Sequence, residues 1–329
     1  MNNTVLIFSI SSDKSTYQVC DWLRHLGQKY IVITLETDVR ILSVRPDGEF
    51  LLSINGVELH SSDIKCTWYR RGEINILPYK IGIPKDTDKS TESLYRGANR
   101  FINYELGGTV AHIYHWLRKK PHLDSISTAN VNKLVVLDEA MRLGLTIPTW
   151  AVLSSKNEVE QFRETVGEII TKPVAGGGYF ETDTHYVQVY TEVADDKFIS
   201  NLQGQFFPTF FQQMVEKEFE IRSFMLNGKL YSMAIFSQQN EQTAVDFRHY
   251  DKKRPNRNIP FKLPTEIEDK LITLAKRFGM STCSFDLIYG KDGTYYFLEV
   301  NPVGQFGMTS YPCNYHIEKK IATYLTSPN

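Results

Sequence analysis

Three oxygen-bearing side chains near the carboxyl terminus have the types and spacing to hold a hard divalent cation. Asp286 lies in the apolar run Ser284–Tyr289, and Glu299 and Asn301 end the next one, in Phe-Leu-Glu-Val-Asn-Pro at 297–302. Side chains alternate along a strand, so Glu299 and Asn301 project to one face. In a hairpin, Asp286 can sit opposite them. Two carboxylates and an amide oxygen suit Mg2+, which takes a few protein ligands and completes its shell with phosphate oxygens and water. An ordinary solvent-facing polar stripe has the same pattern. Against that plainer reading, Asp286 and Glu299 are set among Phe285, Leu287, Leu298 and Val300, and a buried carboxylate requires a partner.

Other residues could meet a polyphosphate. Lys172 ends an apolar run and precedes Pro173 and the triplet Gly176, Gly177, Gly178. Glycines let backbone N–H groups approach phosphate without a Cβ clash. No Gly-Lys-Ser/Thr follows, so this is not a P-loop, and a flexible hairpin tip remains the plain alternative. Lys133 is either a second phosphate contact or a solvated helix lysine. In Phe211–Lys217 an apolar strand turns polar. An adenine could pair with backbone there and lie on Met214 and Val215, with Glu216 or Glu220 meeting the ribose, although many strands end in Glu-Lys. Arg222 and Arg248 suit a transferring phosphoryl group, because guanidinium groups stabilise charge developing on its oxygens. Surface ion pairs with Glu220 or Asp246 are the alternative.

The elements that must position these residues read as α/β at the start and α+β at the end. Thr4–Ile10 reads as a buried strand, Ser15–Leu26 as an amphipathic helix and Tyr30–Leu35 as a second strand. That order implies a right-handed βαβ unit. Asn55-Gly56 marks a hairpin between Phe50–Ile54 and Val57–Leu59. Lys65–Tyr69 is a strand, residues 80–92 a polar loop, and Glu92–Leu117 a long helix with a flaw at Gly107-Gly108. After a boundary near Pro121–Ser127 come helices Asn132–Leu143 and Glu158–Val166 and strand Glu168–Lys172. From Phe206 onward, strands Phe210–Val215, Glu220–Leu226, Leu230–Phe236, Ser284–Tyr289 and Tyr295–Val300 surround helix Glu266–Phe278. The expected domains are 1–122, 123–205 and 206–329.

The 329 residues carry 37 basic and 38 acidic side chains. This near-neutral balance gives no field to recruit nucleic acid or an anionic membrane. No apolar stretch approaches a membrane span, and the amino-terminal run lacks the basic flank and cleavage site of a signal peptide. A cytoplasmic location is expected. Cys20, Cys66, Cys283 and Cys313 form no C-x-x-C pair, which argues against zinc or a disulfide framework.

Taken in order, these fragments resemble the ATP-grasp superfamily: Asn132-Lys133 with its helix, Thr171-Lys-Pro with the glycines, Gln212-Gln-Met-Val-Glu-Lys, Glu220-Ile-Arg, Phe285-Asp and Leu298-Glu-Val-Asn-Pro. The resemblance covers about residues 125–305. Asp13-Lys-Ser-Thr, Thr67-Trp-Tyr-Arg-Arg-Gly72 and Asn301-Pro-Val-Gly-Gln-Phe306 are more closely similar to the peptide maturases of graspetide biosynthesis, the microviridin-type and grasp-with-spasm group.

The resemblance implies an ATP-grasp fold with an amino-terminal α/β (pre-ATP-grasp) domain. It also implies an ATP- and Mg2+-dependent ligase that phosphorylates Glu or Asp side chains of a precursor peptide and closes ester or amide macrocycles. By carry-over, Lys133, Lys172 and Gly176 to Gly178 contact ATP phosphates, Gln213, Met214 and Val215 border adenine, and Glu220 meets the ribose. Asp286, Glu299 and Asn301 hold Mg2+. Arg222 and Arg248 face the acyl phosphate, with Asp246 a further catalytic candidate. Many ATP-grasp enzymes carry Gln-Glu where this chain has Gln212-Gln213, which leaves the contact to the base amino group open. A leader-plus-core peptide is the implied partner, with leader docking expected on residues 125–205, and family members suggest a homodimer. The rival readings are a ligase for a small molecule or protein terminus, and an inactive nucleotide-binding scaffold.

Overall fold

The computed structural model describes residues 3–74, 81–175, 179–181, 186–189, 191–238 and 256–328. The chain divides into two compact units, residues 1–129 with 316–329, and residues 130–315. No described helix is long and apolar enough to cross a membrane.

The first unit runs β1 (Thr4–Phe8), α1 (Lys14–His25), β2 (Lys29–Ile33), β3 (Val39–Val44), β4 (Phe50–Ile54), β5 (Val57–His60), β6 (Ile64–Tyr69), α2 (Lys89–Leu117) and β7 (His122–Leu123). A parallel sheet has the order β2-β1-β6-β7. The β1–α1–β2 crossover expected from the sequence is therefore present, and β6 lies on the other side of β1. Asp13 caps α1, its side chain accepting from the Ser15 amide. β3, β4 and β5 form a small antiparallel sheet. Asn55 and Gly56, with φ of 50° and 81°, make its tight β4–β5 turn. Leu6 and Phe8 share a core with Leu52, Ile54, Leu59, Ile113 and Leu117.

Two expectations for this unit change. α2 is continuous through Gly107 and Gly108. Glycine lowers helix propensity by about 1 kcal/mol but blocks neither hydrogen bonding nor packing, and buried Ile113 and Leu117 anchor the far end. α2 also starts at Lys89, inside the expected loop, because Asp88 accepts from the Ser90 and Thr91 amides. The final helix, Ile317–Thr326, packs against α1. Lys319 Nζ sits 4.9 Å above the Trp22 ring.

The second unit runs α3 (Lys133–Arg142), β8 (Trp150–Ser155), α4 (Lys156–Val166), β9 (Ile169–Thr171), β10 (Tyr179–Glu181), β11 (Tyr186–Gln188), β12 (Glu192–Val193), α5 (Asp196–Ser200), β13 (Gln205–Gln213), β14 (Lys217–Leu226), β15 (Lys229–Phe236), β16 (Arg257–Phe261), α6 (Thr265–Arg277), β17 (Thr282–Gly290), β18 (Tyr295–Asn301) and α7 (Gly307–Ser310). A four-stranded sheet has the order β12-β9-β13-β8, and a five-stranded antiparallel sheet the order β16-β15-β14-β17-β18.

One core joins α3 and α6 to this larger sheet: Val136, Leu137, Ala140, Leu271 and Leu274 meet Ile221, Phe285, Leu287 and Phe297. Phe210 of β13 enters the same core, whereas its neighbour Phe211 packs with Val159, Ile169 and Ile199. The alternation of β13 thus faces two cores, which explains why its apolar residues read as continuous. β13 also ends at Gln213, two residues before the sequence expectation. Its pairing with β9 runs one step further, since the Met214 amide donates to the Glu168 carbonyl at 2.8 Å.

Candidate active site

α3 opens beside the expected cation ligands. Asn132 accepts from the Leu134 and Val135 amides, which makes Lys133 the first helical residue. The buried side of α3 carries Val136, Leu137 and Ala140. Lys133 Nζ lies 3.0 Å from Glu299 Oε2 and donates to the Pro173 carbonyl at 3.0 Å. One ammonium therefore ties α3 to the end of β18 and to the residue after Lys172.

Asp286 and Glu299 are direct cross-strand partners, with a bulge just after Asp286, and Asn301 lies opposite Ser284. The Asn301 side-chain nitrogen is 3.0 Å from Asp286 Oδ2 and 3.5 Å from Glu299 Oε1. The three oxygen-bearing side chains thus converge. On the other side of β17, Arg222 pairs with Asp286 in the ladder, and its Nη1 donates to both carboxylate oxygens at 2.9 Å. Arg222 Nε is buried without a hydrogen-bond partner.

The sequence had offered Glu220 or Asp246 as partners for Arg222. Ladder register explains why Arg222 meets Asp286 instead, because Asp286 stands directly across from it. Glu220, expected near the ribose, is buried and ion-paired with Lys217.

Among the described residues, Lys133 and Arg222 face Asp286 and Glu299. The donor set fits Mg2+ chemically, since two carboxylates and one amide are hard oxygen ligands. Asn301 presents its oxygen to a cation once its amide turns over. Among the described residues, no three His, Cys, Asp or Glu side chains gather as a metal cluster. The small set here leaves most of a coordination shell to phosphate and water.

Lys172 follows β9, with Nζ 5.8 Å from the Phe210 ring centroid. Gln213 donates its amide to the Thr149 carbonyl at 2.8 Å. The glycines Gly176 to Gly178, and Asp246 and Arg248, lie outside the described residues.

Sequence reasoning passed over Gln212. It is fully buried, and neither Nε2 nor Oε1 has a hydrogen-bond partner. A buried amide left unmade costs about 1–3 kcal/mol. Alternation puts Gln212 on the same face of β13 as Phe210. In the sequence, Gln212-Gln213 looks like a polar strand end, and no local signal separates the buried amide from its neighbour. Lys217 was also passed over; a lysine beside the apolar run of β14 was its only signal.

No protein-family model matches the chain, and no curated protein does. Solved structures match it over nearly all its length. The macrocyclase MdnC of Microcystis aeruginosa, solved with the precursor peptide MdnA, is 26% identical, with a TM-score of 0.74 over 98% of this chain and 99% of that one. A RiPP-associated ATP-grasp ligase of Chryseobacterium gregarium, solved with ADP and a leader and core peptide, is 24% identical, with a TM-score of 0.76 over 98% and 95%. The ATP-grasp ligase PsnB, solved with a minimal precursor, Mg and ADP, is 18% identical, with a TM-score of 0.71 over 99% and 96%. The chain thus shares, along nearly its whole length, the fold of these peptide-bound ligases.

Proposed function

We propose that this chain is an ATP-dependent peptide ligase that activates Glu or Asp side chains of a ribosomally made precursor and closes them onto Ser, Thr or Lys. The observation that carries the reading is the convergence of Asp286, Glu299 and Asn301 with Lys133 and Arg222 in one cluster. Its support from comparison is the likeness to MdnC, a macrocyclase solved with its precursor, and to ligases solved with ADP or Mg.

In this reading a peptide carboxylate oxygen attacks the γ-phosphorus of ATP, the bond to the bridging oxygen breaks and ADP leaves. A hydroxyl or amine of the same peptide then attacks the acyl carbon, phosphate leaves and the nucleophile gives up its proton. Holding both groups of one peptide together can supply an effective molarity of roughly 10⁵ M or more. Mg2+, when bound by Asp286, Glu299 and Asn301, supplies Lewis-acid neutralisation of phosphate charge.

The chain's own residues do the rest. Lys133 and Lys172 present ammonium groups to the phosphates, and Gly176 to Gly178 supply backbone N–H groups. Arg222, oriented by Asp286, faces the charge that develops on the transferred group, together with Arg248, and Asp246 is a further catalytic candidate. Met214 and Val215 offer an apolar bed for adenine next to Gln213, and Gln212 adds an unspent donor and acceptor on the Phe210 face. Glu220 takes the ribose after giving up Lys217.

The finer assignments are the domain limits 1–122, 123–205 and 206–329, a leader docking on residues 125–205, a cytoplasmic location and a homodimer. The homodimer has support from α2, whose Leu94, Phe101 and Tyr104 are 71%, 64% and 79% exposed. Phosphate release from ATP tests the function directly. A Glu- and Thr-bearing peptide should stimulate it, and the same peptide with every Glu changed to Gln should not. Equal phosphate release with both peptides would exclude carboxylate activation.

A further inference from the structure

The first unit carries a charged cluster that the proposed chemistry does not use. In the order β2-β1-β6-β7 the chain leaves β1 toward β2 on one side and returns to β6 on the other. The carboxyl ends of β1 and β6 therefore flank a topological switch point, where open α/β sheets form their ligand crevices. Asp13 and Ser15 reach this place from the start of α1, and Arg70 and Arg71 from the end of β6. The Arg70 and Arg71 amides both donate to the Phe8 carbonyl, at 2.9 and 3.0 Å. Gly72 follows with φ of 72°, and a Cβ there would meet the Ser9 carbonyl oxygen at 2.5 Å. The two arginines are thus pinned against the end of β1 by backbone.

Their side chains have different roles. Arg70 is 3% exposed; its Nε donates to Asp13 Oδ2 at 2.9 Å and its Nη2 to Ser15 Oγ at 3.0 Å. Asp13 Oδ1 accepts from the Ser15 amide and hydroxyl. Burial works to raise the Asp13 carboxyl, but Arg70, Ser15 and Arg71 outweigh it and hold Asp13 below its ordinary value. Asp13 is consequently ionised and its oxygens are committed. Arg71 comes no closer than 3.8 Å to it, is 36% exposed, and has its Nε buried without a partner. One guanidinium completes the buried pair, and the other keeps an unspent donor and an opening to solvent. A planar fork of this kind matches a carboxylate, which accepts two parallel hydrogen bonds from it.

We infer that Arg71 anchors a carboxylate of the acidic peptide substrate in the crevice at the ends of β1 and β6, with the Asp13–Arg70 pair as its fixed support. The inference rests on the peptide-ligase reading for its ligand, and Arg71 acts in it as a binding residue. A phosphate group offers the same fork chemistry, so the test separates the two sources.

Binding of two fluorescein-labelled peptides, one with alternating Glu and Thr and one with Gln in place of each Glu, is measured on the full chain by anisotropy. ATP affinity is measured on the same samples. Arg71→Ala should weaken the Glu peptide roughly tenfold or more, leave the Gln peptide at its wild-type affinity and leave ATP affinity unchanged. Arg71→Lys should recover only part of the loss, because an ammonium keeps the charge without the fork. Both variants should melt with the wild type, as Arg71 is partly exposed. Equal loss for both peptides, wild-type affinity of Arg71→Ala for the Glu peptide, no preference of the wild type for the Glu peptide, or a loss confined to ATP would each overturn the inference. The ligase reading fails separately, if wild-type phosphate release ignores the Glu peptide.

Discussion

Arg222 donates from a single guanidinium nitrogen to both oxygens of Asp286, at 2.9 Å each, across the β14–β17 ladder. Both side chains are largely buried, so each helps to compensate the other for lost solvent. Removing one partner of such a pair typically costs about 3–5 kcal/mol, because the other charge stays buried and unpaired. Arg222→Ala should therefore lower stability by about that amount in denaturant unfolding. Arg222→Lys should lose less, while still failing to restore activity if the guanidinium meets the transferred phosphoryl group.

The carboxylates should separate folding from function. Glu299→Gln keeps the shape of its side chain and removes one charge. Peptide-dependent ATP cleavage should fall by roughly 10²–10³ or more, with a smaller loss of stability than in Asp286→Asn, because Lys133 keeps the Pro173 carbonyl as an acceptor. Wild-type turnover in this variant would remove Glu299 from the cation site. Asp286→Asn should lose activity similarly but also destabilise, since it deprives Arg222 of its counter-charge.

Gln212 gives a prediction whose two halves have opposite signs. Replacing an unpaired buried amide by an apolar side chain of similar size is neutral or stabilising. Gln212→Leu should unfold at the same or a higher temperature than the wild type. If the amide's free donor and acceptor serve the nucleotide, ATP should bind at least several-fold more weakly to this variant by calorimetry. Unchanged ATP affinity would mark Gln212 as a structural residue only.

Acid should expose the pair in the first unit. The Asp13 carboxyl lies below 3.8 in the folded chain, its ordinary value. A depressed carboxylate contributes stability that is present above the unfolded pKa and lost as pH falls through the folded one. The wild type should therefore lose stability on acidification below about pH 4 more steeply than Asp13→Asn. Parallel pH curves for the two proteins would count against the assignment.

Much of this arrangement could be read from the residues. Four of the five strands of the larger sheet and the turn at Asn55-Gly56 are local features, set by alternation and left-handed turn residues, whereas the edge strand Arg257–Phe261 was not read from the residues. Period two was also enough to put Glu299 and Asn301 on one face.

Ladder register was not legible, and it decides that Arg222 meets Asp286. The two faces of β13 were hidden for a related reason, because both Phe210 and Phe211 are apolar although they serve different cores. Nothing in Ile317–Thr326 says which sheet it will cover, since its apolar stripe would suit any. Gln212 and Arg71 share the same difficulty. Each sits beside a residue of its own type, and only burial and hydrogen-bond accounting tell the neighbours apart.

The cluster around Asp286, Glu299 and Asn301 should drive dehydrative ring closure within a peptide. Mass spectrometry of a precursor peptide co-expressed with the chain addresses it most directly. The wild type should remove one water per ring, and Glu299→Gln should leave the peptide unmodified. A peptide of unchanged mass with the active wild-type protein, or equal water loss with the variant, would contradict it.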